Sequence, residues 1–406
     1  MKNIAWFLCA LLLAACARPG TTLPPLAAPS ERDATPLAAY KMLYRFPGGN
    51  SGSGPTGFIN VKGVLYGTTL AGGSQSLGTV FVRDTSGKVR VLHSFGSGAD
   101  GAEPNGTLVD LNGTLYGTTQ YGGTNGNGTV FAIDPNGSER VLYSFKGGAD
   151  GATPLLAGLV IINGKLYGTT NAGGNLSCRH QQVIGCGTVF AITTSGTESV
   201  FYKFKGKPDG ANPSGPLTAS GSTIYGTTNF GGSFNDGSVF SLTTSGAKKT
   251  LYSFKGFPDG VEPFAGVTLS GGKLYGTTTL GGAYEGAGTV FELTTTGGKE
   301  RVLHSFRGAP DGALPYGWLA VAGNTFYGTT EFGGSSRWSC VGHGVVGCGT
   351  IFSVTPSGKF TLLYHFKGHV DGAFPLAGLV AANSGFYGTT VSGGTKANGT
   401  IFRVTP

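Results

Sequence analysis

The sequence predicts an all-β fold, a β-propeller of seven blades, and three observations carry that expectation. Its apolar runs, such as Thr129–Ile133 and Val141–Phe145, are short, β-branched and aromatic, and no long amphipathic helical pattern appears. The phrase Tyr-Gly-Thr-Thr recurs seven times, beginning at Tyr66, Tyr116, Tyr167, Tyr225, Tyr275, Tyr327 and Tyr387. The last copy ends one strand short, while a spare strand precedes the first.

Composition narrows the class. Of 406 residues, 75 are glycine and 12% are charged, about half the usual charged share. Alone this would suit a disordered chain, but 26 Phe and 16 Tyr supply material for a core. The net charge of +8 is scattered, with no Lys/Arg run longer than two. A nucleic-acid binder concentrates such charge, so no nucleic-acid partner is expected. The charge serves solubility, with a weak preference for anionic surfaces.

Residues 1–15 have Lys2 followed by about twelve apolar residues, too few to span a bilayer as a helix of ~30 Å. They form a secretory signal. Its end, Leu13-Ala14-Ala15-Cys16, resembles the bacterial lipobox, which implies lipidation of Cys16 and, with Ala17 rather than Asp next, the outer membrane. An ordinary signal cut nearby is the plainer alternative. Several acyl chains anchor firmly, each buried CH₂ contributing about 0.8 kcal/mol. Residues 16–38, rich in Pro and Ala, make a flexible tether, leaving 39–406 for the propeller.

The Tyr-Gly-Thr-Thr spacings are 50, 51, 58, 50, 52 and 60 residues, a period that signals a repeat architecture. Each repeat offers four strands. In the second, strand A is 107–111, an Asn112-Gly113 turn follows, and strands B, C and D are 114–119, 128–133 and 140–145. Four antiparallel strands per unit make a propeller blade. The last copy, ending at 399–406, lacks strand D, and 41–46 supplies one. Pairing these ends closes seven blades into a ring and removes a loose seam. The closed chain is expected as a monomer. Strand D ends in Phe and Pro follows nine residues later in every unit: Phe46/Pro55, Phe95/Pro104, Phe145/Pro154, Phe204/Pro213, Phe254/Pro263, Phe306/Pro315 and Phe366/Pro375. A fixed length implies a fixed loop conformation, with Pro setting φ where its missing N–H does no harm.

The motifs Leu-Tyr-Gly-Thr-Thr, Gly-Gly…Gly-Thr-Val-Phe and Leu-Tyr-Ser-Phe-Lys-Gly-Gly-x-Asp-Gly-Ala resemble the GloVer tandem-repeat family over residues 40–406. The resemblance implies bacterial surface-directed modules with varied anchors and no established activity. The order of motifs is also kelch-like, more weakly.

In an up-and-down blade the B–C and D–A loops share one face, here the upper face, and the A–B and C–D turns share the other. The lower turns are generic, so function is expected above. The motif tyrosines are expected to pack between blades, and the motif glycines to let backbones approach. Blades three and six carry B–C insertions with paired cysteines, Cys178/Cys186 and Cys340/Cys348, expected as disulfides in an oxidising compartment. Closing so short a loop stabilises by about 2–3 kcal/mol. His180 or His343 beside each pair would suit zinc, but the spacing fits no familiar zinc pattern, and no metal or cofactor is expected. Asp100, Asp150, Asp209, Asp259, Asp311 and Asp371 follow the strand D Phe by five residues and are expected to cap their own turns rather than bind calcium. His93, His304 and His365 are read as sharing one strand D place that tyrosine holds elsewhere.

The positions after Tyr-Gly-Thr-Thr vary. Gln120, Tyr121, Asn171, Asn229, Phe230, Thr279, Glu331 and Phe332, with Trp338 from the second insertion, are expected to form a recognition surface. Amides and aromatic faces suit a glycan, peptide or protein. Three functions follow: a lipid-anchored binding or scaffolding module, a carbohydrate-active hydrolase or lyase, or a subunit of an envelope assembly. An enzyme needs paired acids or an acid with a His or Tyr. Glu103, Glu262, Glu285 and Glu331 stand singly, so binding is preferred.

Overall fold

Each repeat folds into one four-stranded antiparallel sheet, strand order A-B-C-D, and seven such sheets are present. The computed structural model describes residues 38–180, 182–284, 286–335, 340–342, 344–382 and 385–406. The proposed signal, Cys16 and the tether lie outside them. The second blade comprises Val109–Leu111, Thr114–Thr119, Thr129–Ile133 and Glu139–Ser144, within two residues of the boundaries read from sequence.

The seventh blade is made from both ends of the chain. Ala39–Arg45 pairs antiparallel with Thr400–Thr405, with Tyr40 opposite Val404 and Tyr44 opposite Ile401. It completes the sheet of Val380–Ala382, Gly385–Thr390 and Thr400–Thr405. The Phe46 N–H donates to Gly399 C=O at 3.0 Å, the same bond that Phe145 makes to Gly128 within the second blade. The ring therefore closes by the geometry of a covalently continuous blade.

One contact repeats at every blade interface. The phenylalanine ending strand D of one blade meets the strand C phenylalanine of the next, edge to face. The pairs are Phe46–Phe81, Phe95–Phe131, Phe145–Phe190, Phe204–Phe240, Phe254–Phe291, Phe306–Phe352 and Phe366–Phe402, with centroids 5.1–5.3 Å apart. All fourteen rings are buried. Each strand C ring also lies across the motif glycine: a Cβ on Gly117 would stand 2.6 Å from Phe131 Cζ, and one on Gly168 2.5 Å from Phe190 Cζ. At six of the seven positions the glycine makes room for a ring on the neighbouring strand, not for a second backbone as the sequence suggested; at Gly67 the Gly57 carbonyl also comes within 2.5 Å of the missing Cβ. The motif tyrosines do pack onto the next blade, as Tyr275 on Phe326 and Tyr327 on Phe386.

Proline and the Gly-Thr-Val-Phe glycine form a second seven-fold contact. A Cβ on Gly78 would meet Pro104 Cδ at 2.5 Å, and at the closure Gly399 would meet Pro55 Cδ at 2.5 Å. The residue before each of these glycines accepts a backbone N–H from the next blade, as Leu77 from Glu103 and Asn398 from Gly54. The second motif threonine is buried and shares a hydrogen bond with the first strand C residue, as Thr119 with Thr129 at 2.8 Å.

Two details escaped the sequence. Every C–D pair carries a β-bulge, between Val130 and Phe131 in the second blade and between Met42 and Tyr44 in the seventh, which raises local twist. Loops of equal length also take different conformations. Gly49–Ser51 and Gly148–Asp150 form 3-10 turns, whereas Gly206 and Gly210, Gly308 and Gly312, and Gly368 and Gly372 form bridges.

Because the Phe46 latch equals the six internal contacts, Phe46→Ala should destabilise as much as Phe204→Ala, by about 3–5 kcal/mol. Denaturant unfolding monitored by circular dichroism checks this; a Phe46→Ala cost below about 1 kcal/mol would mean that the ring does not depend on its latch.

Candidate functional site

Three regions carry the residues that a function would use: the central channel, the blade interfaces near strand D, and the upper face.

The channel is a cavity of about 310 Å³ lined by strand A residues of all seven blades, among them Phe58, Thr107, Leu159, Thr218, Val267, Trp318 and Val380. No lining side chain carries a titratable group. It therefore offers hydroxyls and one amide but no acid, base or charged ligand. Trp318 reaches toward blades seven and one, since a Cβ on Gly378 would lie 2.4 Å from its ring and one on Gly57 3.5 Å. Trp318 is the channel residue that sequence reasoning missed. Its signal was a bulky residue where Gly158, Gly266 and Gly378 stand in sister blades.

The sequence-derived recognition positions turn inward. Gln120, Asn171, Asn229, Phe230, Thr279, Glu331 and Phe332 are buried and Tyr121 is half-buried, while Trp338 lies outside the described residues. The expectation of an exposed recognition surface from these side chains is corrected accordingly. The physical reason is the bend that follows strand B, which folds back onto the D–A loop entering the same blade. Asn105 Nδ2 donates to Gln120 Oε1 at 2.6 Å, and Leu156 N–H of the next blade donates to Asn105 Oδ1 at 3.1 Å. Ser214 Oγ donates to Asn229 Oδ1 at 2.7 Å, and Asn171 Nδ2 to Pro213 C=O at 3.3 Å. The amides bind the protein's own backbone and neighbours, stitching adjacent blades.

The insertions are hairpins on disulfide feet. Cys178–Cys186 and Cys340–Cys348 are both formed, as expected. Arg179–His180 pairs with Val183–Ile184, and Val341–Gly342 with Val345–Val346. The sulfurs pack on the D–A loop of the same blade: a Cβ on Gly206 would lie 2.9 Å from Cys178 Sγ, and one on Gly368 2.9 Å from Cys348 Sγ. His180 stacks on Phe230 at 4.3 Å rather than joining the sulfurs in a ligand set. His343 lies outside the described residues.

The insertions and neighbouring loops present what the buried positions do not. The exposed large apolar side chains among the described residues are Leu176, Ile184, Phe234, Phe257, Tyr284, Val341 and Val370, 42–61% exposed. Every one lies in a B–C or D–A loop of blades three to seven. Lys205, Lys255, Arg307 and Lys367 are exposed on the same loops, with the Arg307 guanidinium 4.6 Å above the Tyr284 ring.

The six repeated aspartates cap their own turns. Each carboxylate accepts the backbone N–H four residues earlier, at 2.7–3.1 Å. Each also meets the strand D residue two before the Phe: Tyr143, Tyr202, Tyr252 and Tyr364 through their hydroxyls, His93 and His304 through Nε2. His365 does not share that place. It lies one residue later, opposite Thr350, while Tyr364 holds the tyrosine position. Counted from the terminal Phe, His365 stands one residue before Phe366, whereas His93 and His304 stand two before Phe95 and Phe306.

A third residue, six before the Phe on strand D of the next blade, completes each trio. It is Glu139 beside Asp100, Glu198 beside Asp150, Lys248 beside Asp209, Glu300 beside Asp259, Phe360 beside His304 and Tyr40 beside Asp371. Burial, and then the charge of Asp150, push Glu198 up to about 7, while the neighbouring Tyr143 hydroxyl and the Lys146 ammonium pull it down. Burial, and then Asp259, push Glu300 up to about 8, against Lys255 and Arg301.

These two glutamates are protonated in the fold at pH 5, whereas an unfolded glutamate has a pKa of about 4.3. Their contribution is full below the unfolded value and is lost as pH rises through about 7–8. Discounted for solvent screening, each contributes about 1 kcal/mol. The melting temperature should fall by about 2–4 °C between pH 5 and pH 8.5, and a Glu198→Gln/Glu300→Gln variant should flatten that fall. Calorimetry across pH checks both; an unchanged slope in the double variant would rule these groups out.

The comparisons with known proteins agree with this architecture. The profile of the Gloeobacter/Verrucomicrobia repeat matches residues 33–180 and 176–402. No curated protein matches the sequence. Among solved structures, a putative 6-phosphogluconolactonase from Bacteroides uniformis is similar at TM-score 0.50 and 17% identity, over 80% of this chain and 88% of that one. A puromycin-hydrolyzing peptidase of Mycobacterium tuberculosis is similar at TM-score 0.51 and 12% identity, over 92% of this chain and 55% of that one. The tricorn protease is similar at TM-score 0.43 and 12% identity, over 80% of this chain, which spans only 27% of the protease. At such identities the likeness shows the fold alone. The two profile matches together span nearly the whole repeat region, and the chain belongs to the Gloeobacter/Verrucomicrobia repeat family.

Proposed function

We propose that the protein is a cell-envelope binding module, held to a membrane through lipidated Cys16, whose upper face docks a protein or peptide partner. The observation that carries this reading is the segregation of exposed apolar side chains. Leu176, Phe234, Phe257, Tyr284 and Val341 all lie on one face, in an arc between the two disulfide-footed insertions. Exposed apolar groups gathered on one side of a rigid scaffold mark an interaction surface.

The lysines and Arg307 among them select the chemistry. A partner offering apolar and acidic side chains would bury the arc and pair with the cations. The disulfides support an oxidising, extracytoplasmic location. They also hold the insertions before the partner arrives, which lowers the ordering cost of binding. The channel, lined mostly by apolar side chains with three threonines and one asparagine, could add apolar and hydroxyl contacts to such a partner.

Two experiments test the reading. A photo-crosslinking residue at Phe234 or Val341 should give one discrete adduct in intact cells, whereas the same residue at Ser245 or Asn136, on lower turns, should give none. Equal adducts from both faces, or none from either, would remove the upper-face assignment. Cys16→Ser should move the protein from the membrane fraction to the soluble fraction, and unchanged membrane attachment would remove the anchor.

A further inference from the structure

The interface between blades one and two differs from its six sisters in a way that points to a metal. Three positions meet at each interface: the strand D residue two before the Phe, the aspartate of the following loop, and the next blade's strand D residue six before its Phe. In sister interfaces these read Tyr143/Asp150/Glu198, Tyr202/Asp209/Lys248, Tyr252/Asp259/Glu300, His304/Asp311/Phe360, Tyr364/Asp371/Tyr40 and Tyr44/Ser51/Val89. Only between blades one and two does every position hold a metal-ligating side chain: His93, Asp100 and Glu139.

Their donor atoms lie within 4.8 Å of one another, with His93 Nε2 3.2 Å from Asp100 Oδ2 and 4.0 Å from Glu139 Oε2. Ligands of one ion at ~2.1 Å stand about 3–4 Å apart, so a side-chain adjustment below about 1 Å closes the set. The site is already oriented. Asp100 Oδ2 accepts the Gly96 N–H and Oδ1 the Gly101 N–H, both at 2.7 Å, which leaves further lone pairs on each oxygen.

Two further observations point to a ligand. The Glu139 side chain is nine-tenths buried, and its Oε1 meets no hydrogen-bond donor. The cation found at five sister loops is also missing: Lys146, Lys205, Lys255, Arg307 and Lys367 follow the strand D Phe, but Gly96 follows Phe95. Two carboxylates therefore face each other without a lysine or arginine. A divalent cation neutralises both, and a neutral imidazole adds the nitrogen that a tyrosine at this position lacks.

We propose that His93 Nε2, Asp100 and Glu139 bind a first-row divalent cation of the zinc class, with three protein ligands and an open position. His93 and Asp100 are each about one-fifth exposed, so the ion enters from solvent. Bound there, it ties blade one to blade two, a role that Lys248 plays toward Asp209 between blades three and four.

The test is zinc uptake by the purified chain at pH 7.5, by equilibrium dialysis with elemental analysis and by calorimetry. Wild type should hold about one zinc per chain and melt higher with zinc than with chelator. His93→Tyr restores the residue of the sister interfaces and should fold normally, retain no zinc and lose the zinc-dependent rise in melting temperature. Glu139→Gln should weaken uptake more than about tenfold. His304→Tyr, at the interface with Phe360, should leave uptake unchanged. The proposal is overturned if wild type takes up no stoichiometric zinc, or if His93→Tyr retains it.

Discussion

The edge-to-face packing of two phenylalanines across a glycine is the interaction on which the rest of the structure depends. The strand D ring of one blade reaches the strand C ring of the next, and that second ring needs the missing Cβ of Tyr-Gly-Thr-Thr to lie flat on its own sheet. A buried Phe contributes about 1.5–3 kcal/mol through its area, and an aromatic pair about 0.5–1.5 kcal/mol more. Seven such contacts in series make blade-to-blade association the principal source of stability. A single blade cannot bury its faces alone. The repetition of the motif follows from this, because each blade must offer the same ring on one side and the same cleft on the other.

The constraint also explains where variation is tolerated. Close to the axis, glycines such as Gly378 and prolines set the approach of neighbouring strands, and residues following strand B are drawn into a buried polar seam. Freedom is left at the tips of the upper loops. There the chain places its two insertions, its exposed apolar residues and most of the free cations of the loop series. A lower-face turn must reverse tightly between C and D and has no such freedom, as the Asp134 cap of its own Asn136 and Ser138 N–H groups illustrates.

The trio of residues near each strand D shows how one geometric site can be given different chemistry. Backbone position is held by the aspartate's turn cap, while its partners alternate between hydroxyl, imidazole, carboxyl, ammonium and aromatic groups. Lys248 meets Asp209 as an ion pair, Glu300 lies beside Asp259 as a carboxyl whose pKa is raised by burial and by that neighbour, and Tyr40 stacks on Tyr364 at 4.1 Å. These are different solutions to one problem: an aspartate half-buried by the neighbouring blade needs a proton donor or a positive charge.

The sequence by itself determined the number of blades, the four strands of each, the closure by residues 41–46, the disulfide pairing and the turn-capping role of the aspartates. These are consequences of local pattern and of counting: a period, a missing strand, cysteines eight apart. What followed strand B was not legible, because Gln120, Asn229 and Phe332 look like loop residues and burial depends on a D–A loop about fifteen residues earlier in the chain. The bulge in every C–D pair was equally hidden. Tertiary structure alone decided which side chains meet across a blade interface, since Asp100 and Glu139, 39 residues apart, become neighbours only when two twisted sheets pack. Twist and packing set that meeting, and a one-dimensional period carries neither.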